Sequence, residues 1–205
     1  MVMALAVISI KAMPGVSGRF NHAVTETTGI LEQARQYAVA QNTYVWVLFA
    51  PDSTADSTNL NIAVVASKDG LDPAAGAASY NYGTAPSASL ELINSAVTQP
   101  QIIMREAGQF TAAKIPTLPS IASASNSVAS GPYEFMVQIP RQTGATKFTQ
   151  AIQFTPTGQV RNGPGVVDLV EFGLQPLKGA KVTDEDNIAV IRINGLTGQS
   201  RVYRP

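Results

Sequence analysis

The stretch Arg19–Ala50, RFNHAVTETTGILEQARQYAVAQNTYVWVLFA, constrains the fold more than any other part of the chain. Phe20, Val24, Thr27, Leu31, Ala34 and Ala38 recur at steps of four and three, which aligns them on one face of an α-helix. Glu26, Glu32, Arg35, Gln36 and Gln41 fall largely off that face. Gly29 and the threonines at 25, 27 and 28 lower the intrinsic propensity, so this helix needs packing partners. Its apolar face is expected against a β domain or a partner helix, with the C-terminal half the better buried. At Asn42-Thr43 the period changes, and Tyr44–Phe49 (YVWVLF) is a β-branched and aromatic run suited to a buried strand. A long amphipathic helix therefore feeds into a hydrophobic strand through a very short turn.

The rest of the 205 residues is large enough for one packed domain and an extension. Charged residues make up only 14%, and mean hydropathy is +0.08, which is charge-poor for a soluble domain yet far from a multi-span membrane protein. Fourteen basic residues balance fourteen acidic ones, so no net field draws the chain to nucleic acid. The absence of cysteine excludes disulfides, thiolate-bound zinc and thiol nucleophiles, and leaves the compartment open.

Met1–Ile10 (MVMALAVISI) is apolar but for Ser9 and is followed by Lys11 and the Pro14-Gly15 break. It is shorter than the roughly 20 residues that span a bilayer, and no basic region precedes it as in a signal peptide. Two readings stand: a buried N-terminal segment or disordered end, or the distal half of a membrane helix with Lys11 at the interface and Pro14 at a kink. Beyond the first strand, Pro51–Thr58 reads as a polar loop and Leu60–Ala66 as a strand pairing back antiparallel. Lys68–Ser89 reads as an irregular excursion. Leu90–Ile93 and Gln101–Met104 read as short strands separated by Pro100, and Pro116–Pro132 as a Ser/Ala-rich surface loop. Tyr133–Ile139 and Thr149–Phe154 alternate as half-buried strands do, Thr155–Gly158 is a turn, and Val166–Phe172 is a further strand. A hairpin closes the chain, Asn187–Ile193 and Arg201–Tyr203, with Asn194-Gly195 and Gly198 expected to supply positive φ angles. The sum is α+β: one long N-terminal helix packed on antiparallel β-sheets of about eight short strands.

Catalytic motifs are lacking. His22 is the single histidine, with no second ligand at a helical spacing, and reads as a surface residue. No Walker loop, G-x-S-x-G elbow or H-E-x-x-H occurs. Asp184-Glu185-Asp186 is the densest acidic cluster; it could offer oxygens to calcium, although three adjacent acids more often form a solvated turn. Asp52 and Asp56 are weaker candidates. Trp46 reads as a core strand residue rather than a stacking platform. Arg192, Arg201 and Arg204 are the one concentration of positive charge; they could touch phosphate, but outward arginines on a terminal strand also guard a sheet edge.

Three segments in a fixed order resemble a known family. Ile30–Asn42 (ILEQARQYAVAQN) running into Tyr44–Val47 resembles the "L-x-x-A-R-x-x-A-(x)-x-x-N" helix end of minor pseudopilins of the type II secretion H class. Ile152–Gly158 (IQFTPTG) is similar to their "i-x-F-x-P-x-G" strand and turn, and Ile191–Asn194 with Gly198–Val202 to their final hairpin. The resemblance covers both ends and one middle strand, not residues 68–132. It implies a type IV pilin-like chain, with residues 1–18 the distal part of a membrane and filament helix, 19–43 an amphipathic helix and 44–205 a globular β domain. The family's prepilin signature, G-F-T-L-x-E, does not occur in these 205 residues; with Pro14 as the family's kinking proline, it is expected just upstream of Met1.

The resulting expectation is a non-enzymatic structural subunit of a secretion or pilus-like assembly. It would be anchored once in the inner membrane, with the β domain outside the cytoplasm and no cofactor. Its partners would be other pilin-like subunits and their machinery, with Phe20, Val24, Leu31 and Ala34 in filament packing. Two rivals stand beside it: a DNA-capturing minor pilin using Arg192, Arg201 and Arg204, and a β-rich enzyme or carbohydrate-binding domain, marked by aromatic residues exposed along one sheet face.

Overall fold

The structure is a computed structural model that describes residues 16–53, 58–73, 75, 80–106, 133–139, 144–162, 165–179, 181–182 and 184–204. The apolar Met1–Ile10 run, Lys11, Pro14, Asp56 and the 116–132 loop lie outside the described residues.

Helix α1 spans Val16–Gln41. Thr25 and Thr28 return their hydroxyls to the preceding turn, Thr25 Oγ1 to Asn21 O at 3.0 Å and Thr28 Oγ1 to Val24 O at 2.6 Å, which satisfies those two without breaking the helix. Asn42 ends the helix in the left-handed region (φ 51°), and Thr43 N donates back to Ala38 O at 3.0 Å. An asparagine thus occupies the position that glycine usually takes, and the chain turns at once into strand β1.

Strands β1 (Val45–Ser53) and β2 (Thr58–Ser67) pair antiparallel. With β4 (Leu90–Pro100), β8 (Gln150–Phe154) and β9 (Val160–Arg161) they make the first sheet, in the order β4-β2-β1-β8-β9. Both faces of this sheet are covered. Val45, Val47 and Phe49 share one core with α1 and with the second sheet, whereas Trp46, Leu48 and Ala50 share another with the third. That double burial is why Tyr44–Ala50 is continuously apolar instead of alternating.

The second sheet runs β11 (Lys181–Val182), β10 (Leu169–Lys178), β12 (Ala189–Asn194), β13 (Ser200–Tyr203), with β5 (Ile102–Glu106) also on β10. The third holds β3 (Tyr80–Ala85), β6 (Tyr133–Gln138) and β7 (Ala145–Phe148), and β3 pairs parallel with β6.

The expected fold class is therefore corrected. The described residues are mostly strand, thirteen strands in three sheets with a single helix, not an α+β chain of one long helix on antiparallel sheets. The excess comes from segments whose composition hides them. Tyr80–Ala85 lies inside the supposedly irregular Lys68–Ser89, β4 continues through Asn94 and Thr98 to Pro100, and β10 continues past Phe172 through Gly173 and Pro176. Pairing partners distant in sequence override the weak local propensities of these residues.

Candidate interaction surface

The four residues expected in filament packing lie inside this chain's own core. Phe20, Val24, Leu31 and Ala34 are 1%, 2%, 2% and 2% exposed, in one cluster with β1, β10 and β12. Burial does not favour the C-terminal half of α1 either, because the guanidinium of Arg204 covers the Phe20 ring at 5.4 Å while hydrogen bonding Asn21. The C-terminal strand is thereby fastened to the first turns of the helix.

The arginines do not converge on one surface. Arg192 donates to Glu171 across the β10–β12 ladder, Nε to Oε2 at 2.7 Å, with both side chains only 10–12% exposed. Its guanidinium also stands 5.3 Å from the Tyr203 ring centroid. Arg201 is exposed, opposite Arg192 on β13. Two of the three expected phosphate contacts are therefore engaged within the chain. Glu171 was not singled out by sequence reasoning; the signal was one opposite charge in each of two apolar strands.

Asp184, Glu185 and Asp186 are exposed, and Asp184 Oδ1 accepts the Asp186 amide at 3.0 Å, a local turn. Among the described residues no group of three or more His, Cys, Asp or Glu side chains is placed to hold a metal ion. His22 lies on the surface, 3.6 Å from Glu26. Asp52 stands on β1 opposite Asn59. The aromatics near β1 point inward: Trp46 is fully buried, 4.9 Å from Tyr82 and 5.8 Å from Phe135 between ring centroids. Burial pushes the Tyr82 hydroxyl well above its ordinary pKa, and the hydroxyl donates to Asp72 at 3.0 Å.

The segments that carry the resemblance meet at one node. Arg35, on the helix, reaches back to Glu32 in a two-pronged pair, Nη2–Oε1 at 2.6 Å and Nε–Oε2 at 3.1 Å. Its aliphatic stem then lies over two glycines from distant turns, Gly158 (φ 79°) and Gly198 (φ 67°). A methyl group built on Gly198 would stand 2.7 Å from Arg35 Cδ and would collide with the Gly158 carbonyl oxygen; one on Gly158 would stand 3.1 Å from Val39 Cγ2. The Thr155–Gly158 turn closes through Gly158 N to Thr155 O at 2.8 Å, and the final hairpin through Gly198 N to Asn194 O at 2.7 Å. Gly195 differs from the expectation: it is required for close approach, since a methyl there would overlap the Val167 carbonyl oxygen.

The Arg35 partnership depresses the Glu32 carboxyl below the ordinary glutamate value, with the Gln36 hydrogen bond assisting against desolvation. A depressed carboxyl stabilises the fold above its unfolded pKa, and that contribution disappears as pH falls through the folded value. Glu32→Gln should therefore flatten the stability profile below the ordinary glutamate range and leave the neutral-to-basic slope unchanged. Urea midpoints measured across that range check it. Parallel profiles for the two proteins would show that the pair contributes no pH-linked stability.

Beside the node, α1 and the first sheet form an open trough of about 370 Å³, between Gln33, Tyr37 and Ala40 on the helix and Val64 and Ile93 on the strands. It continues at the helix end into a polar cleft of about 380 Å³ lined by Asp69, Glu91 and Lys68. Tyr37 is the shared wall; its hydroxyl donates to Glu91 Oε1 at 2.7 Å, which raises its pKa. Asp69 accepts from Ser67 Oγ at 2.7 Å and Leu71 N at 3.0 Å, and these bonds lower its pKa. No basic residue sits in the last turn of α1, so the negative end of the helix faces this cleft without a cation of its own. Compared with known proteins, the chain matches no family model, no curated protein and no solved structure.

Proposed function

We propose that this chain is a structural subunit, a minor pseudopilin-like component of a type II secretion or type IV pilus-like assembly in the cell envelope. The observation that carries the reading is the Arg35 node. Residues 30–42, 152–158, 191–194 and 198–202 resemble the family in sequence, and they come together through Arg35, Gly158 and Gly198. Segments that meet at one point constrain one another, so their joint occurrence weighs more than each degenerate pattern alone. The engagement of Arg192, Arg204 and the inward aromatics in internal packing fits a subunit whose role is to present surfaces. Among the described residues no helix is long and apolar enough to cross a membrane. In this reading, the apolar Met1–Ile10 segment contacts the membrane before assembly and neighbouring subunits after it.

Affinity isolation of the tagged full chain from membranes of its native host tests the proposal. Co-isolation with other pilin-like subunits or secretion components is expected. Recovery in the soluble fraction with none of them would overturn it.

A further inference from the structure

We propose that the trough and cleft beside α1 receive the N-terminal segment of a second copy of this chain, its apolar run in the trough and Lys11 on the Glu91 and Asp69 carboxylates. The match is chemical and ordered. The trough is bounded by Ala40, Val64 and Ile93 and by the ring of Tyr37, and it opens onto two acids beside a helix end that lacks its own cation. Met1–Ile10 is apolar except for Ser9 and is followed by Lys11. Apolar side chains lying along the trough in the direction of α1 bring the ammonium to the cleft, where it complements both carboxylates and the helix dipole. Lys68, on the cleft rim, does not fill that role, because its ammonium donates to Ser87 O at 2.6 Å.

Chain reach decides which copy supplies the segment. Lys11 is five residues before Val16, so it lies within roughly 18 Å of the helix start even when fully extended. The rise of α1 from Val16 to Tyr37 is about 32 Å. Lys11 cannot reach its own cleft; a neighbouring copy's Lys11 can. The contact joins one end of a copy to a different surface of the next, and such a head-to-tail contact propagates into a ring or an open filament. This inference deepens the filament reading and rests on it for the claim that subunits meet; it adds where they touch.

The test places a photo-crosslinking amino acid at Ile10 in the full chain, in detergent, and mixes copies carrying light and heavy nitrogen. Crosslinks between light and heavy copies are expected, mapping to residues 33–43 and 91–94. Ala40→Trp, which fills the trough, and Glu91→Lys, which reverses charge in the cleft, should each cut the yield about tenfold. Lys11→Glu should restore it in the Glu91→Lys background. Circular dichroism of each variant establishes that the fold persists, and Ala40→Trp leaves the Tyr37–Glu91 bond in place should Glu91→Lys disturb it. Crosslinks confined to single copies, mapping elsewhere, absent, or indifferent to both substitutions overturn the inference. Should they fail while other pilin-like subunits still co-isolate with the chain, the filament reading stands without this contact. Should both fail, that reading goes too.

Discussion

Gly198→Ala is expected to destabilise the protein by about 3–5 kcal/mol, among the larger effects of a one-methyl change. Two costs combine. The backbone there is left-handed (φ 67°), which penalises any Cβ by roughly 1–2 kcal/mol. The new methyl would also collide with the Gly158 carbonyl oxygen and press on Arg35 Cδ. Arg35 is a flexible side chain and can yield, but the carbonyl is fixed by the Thr155–Gly158 turn, so the hairpin tip must move. Gly83→Ala separates the two costs. Gly83 has the same φ of 67° with nothing within 4 Å of a built methyl, so it should show the conformational cost alone. Urea melts of the two variants decide the matter. Equal losses would mean that the node is loosely packed and that Gly198 is present for its φ only. Adding Arg35→Ala to Gly198→Ala should recover little, because the carbonyl collision remains.

What the sequence made legible follows from how local each signal was. The helix face from Phe20 to Ala38 and the strand after Thr43 were readable because period and composition agree over adjacent residues. The turn at Thr155–Gly158 and the closing hairpin were readable from their Pro, Asn and Gly positions. In the third sheet β6 was readable from its alternation, but β3 and β7 were not. Tyr80 finds its parallel partner at Tyr133, and the run before it in sequence is Ala, Gly and Ser, so only the distant pairing identifies β3 as strand. Pro176 hid the second half of β10, yet it sits opposite Ile102 of β5, in a ladder whose existence no local pattern announces. The site followed the same rule. Tyr37 and Glu91, 54 residues apart, join across α1 and β4, and neither carries a mark of its own. Residues judged by charge alone were misplaced for a related reason: the pairing of Arg192 with Glu171 depends on strand register, which the arginine does not encode.

That pairing yields the second large effect. Glu171→Ala should cost about 3–5 kcal/mol, because it leaves the Arg192 guanidinium nearly buried with its counter-charge gone. For a chain of this size the thermal midpoint should fall by roughly 10 °C. Replacing both residues with leucine should recover most of the loss, since the interior cost of two charges disappears with their attraction. Two residues along β12 from Arg192 and therefore on the same face, Val190 is already buried with Ile188, and Tyr203 packs against them, so two leucines extend an existing apolar surface. The Tyr203 ring, 5.3 Å from the guanidinium centre, would then pack on leucine instead. Calorimetry of the wild type, Glu171→Ala and the double variant provides the comparison. A single variant within about 1 kcal/mol of wild type would show that solvent reaches the pair and that it behaves as a surface salt bridge. The same series separates structure from nucleic-acid contact. Phosphate would have to compete with Glu171 for Arg192, so Glu171→Ala, which removes that competitor, should not steepen the salt dependence of DNA retention unless Arg192 contributes to a DNA surface. An unchanged salt slope, alongside the large fall in stability, is the expected result and identifies Arg192 as an internal strut.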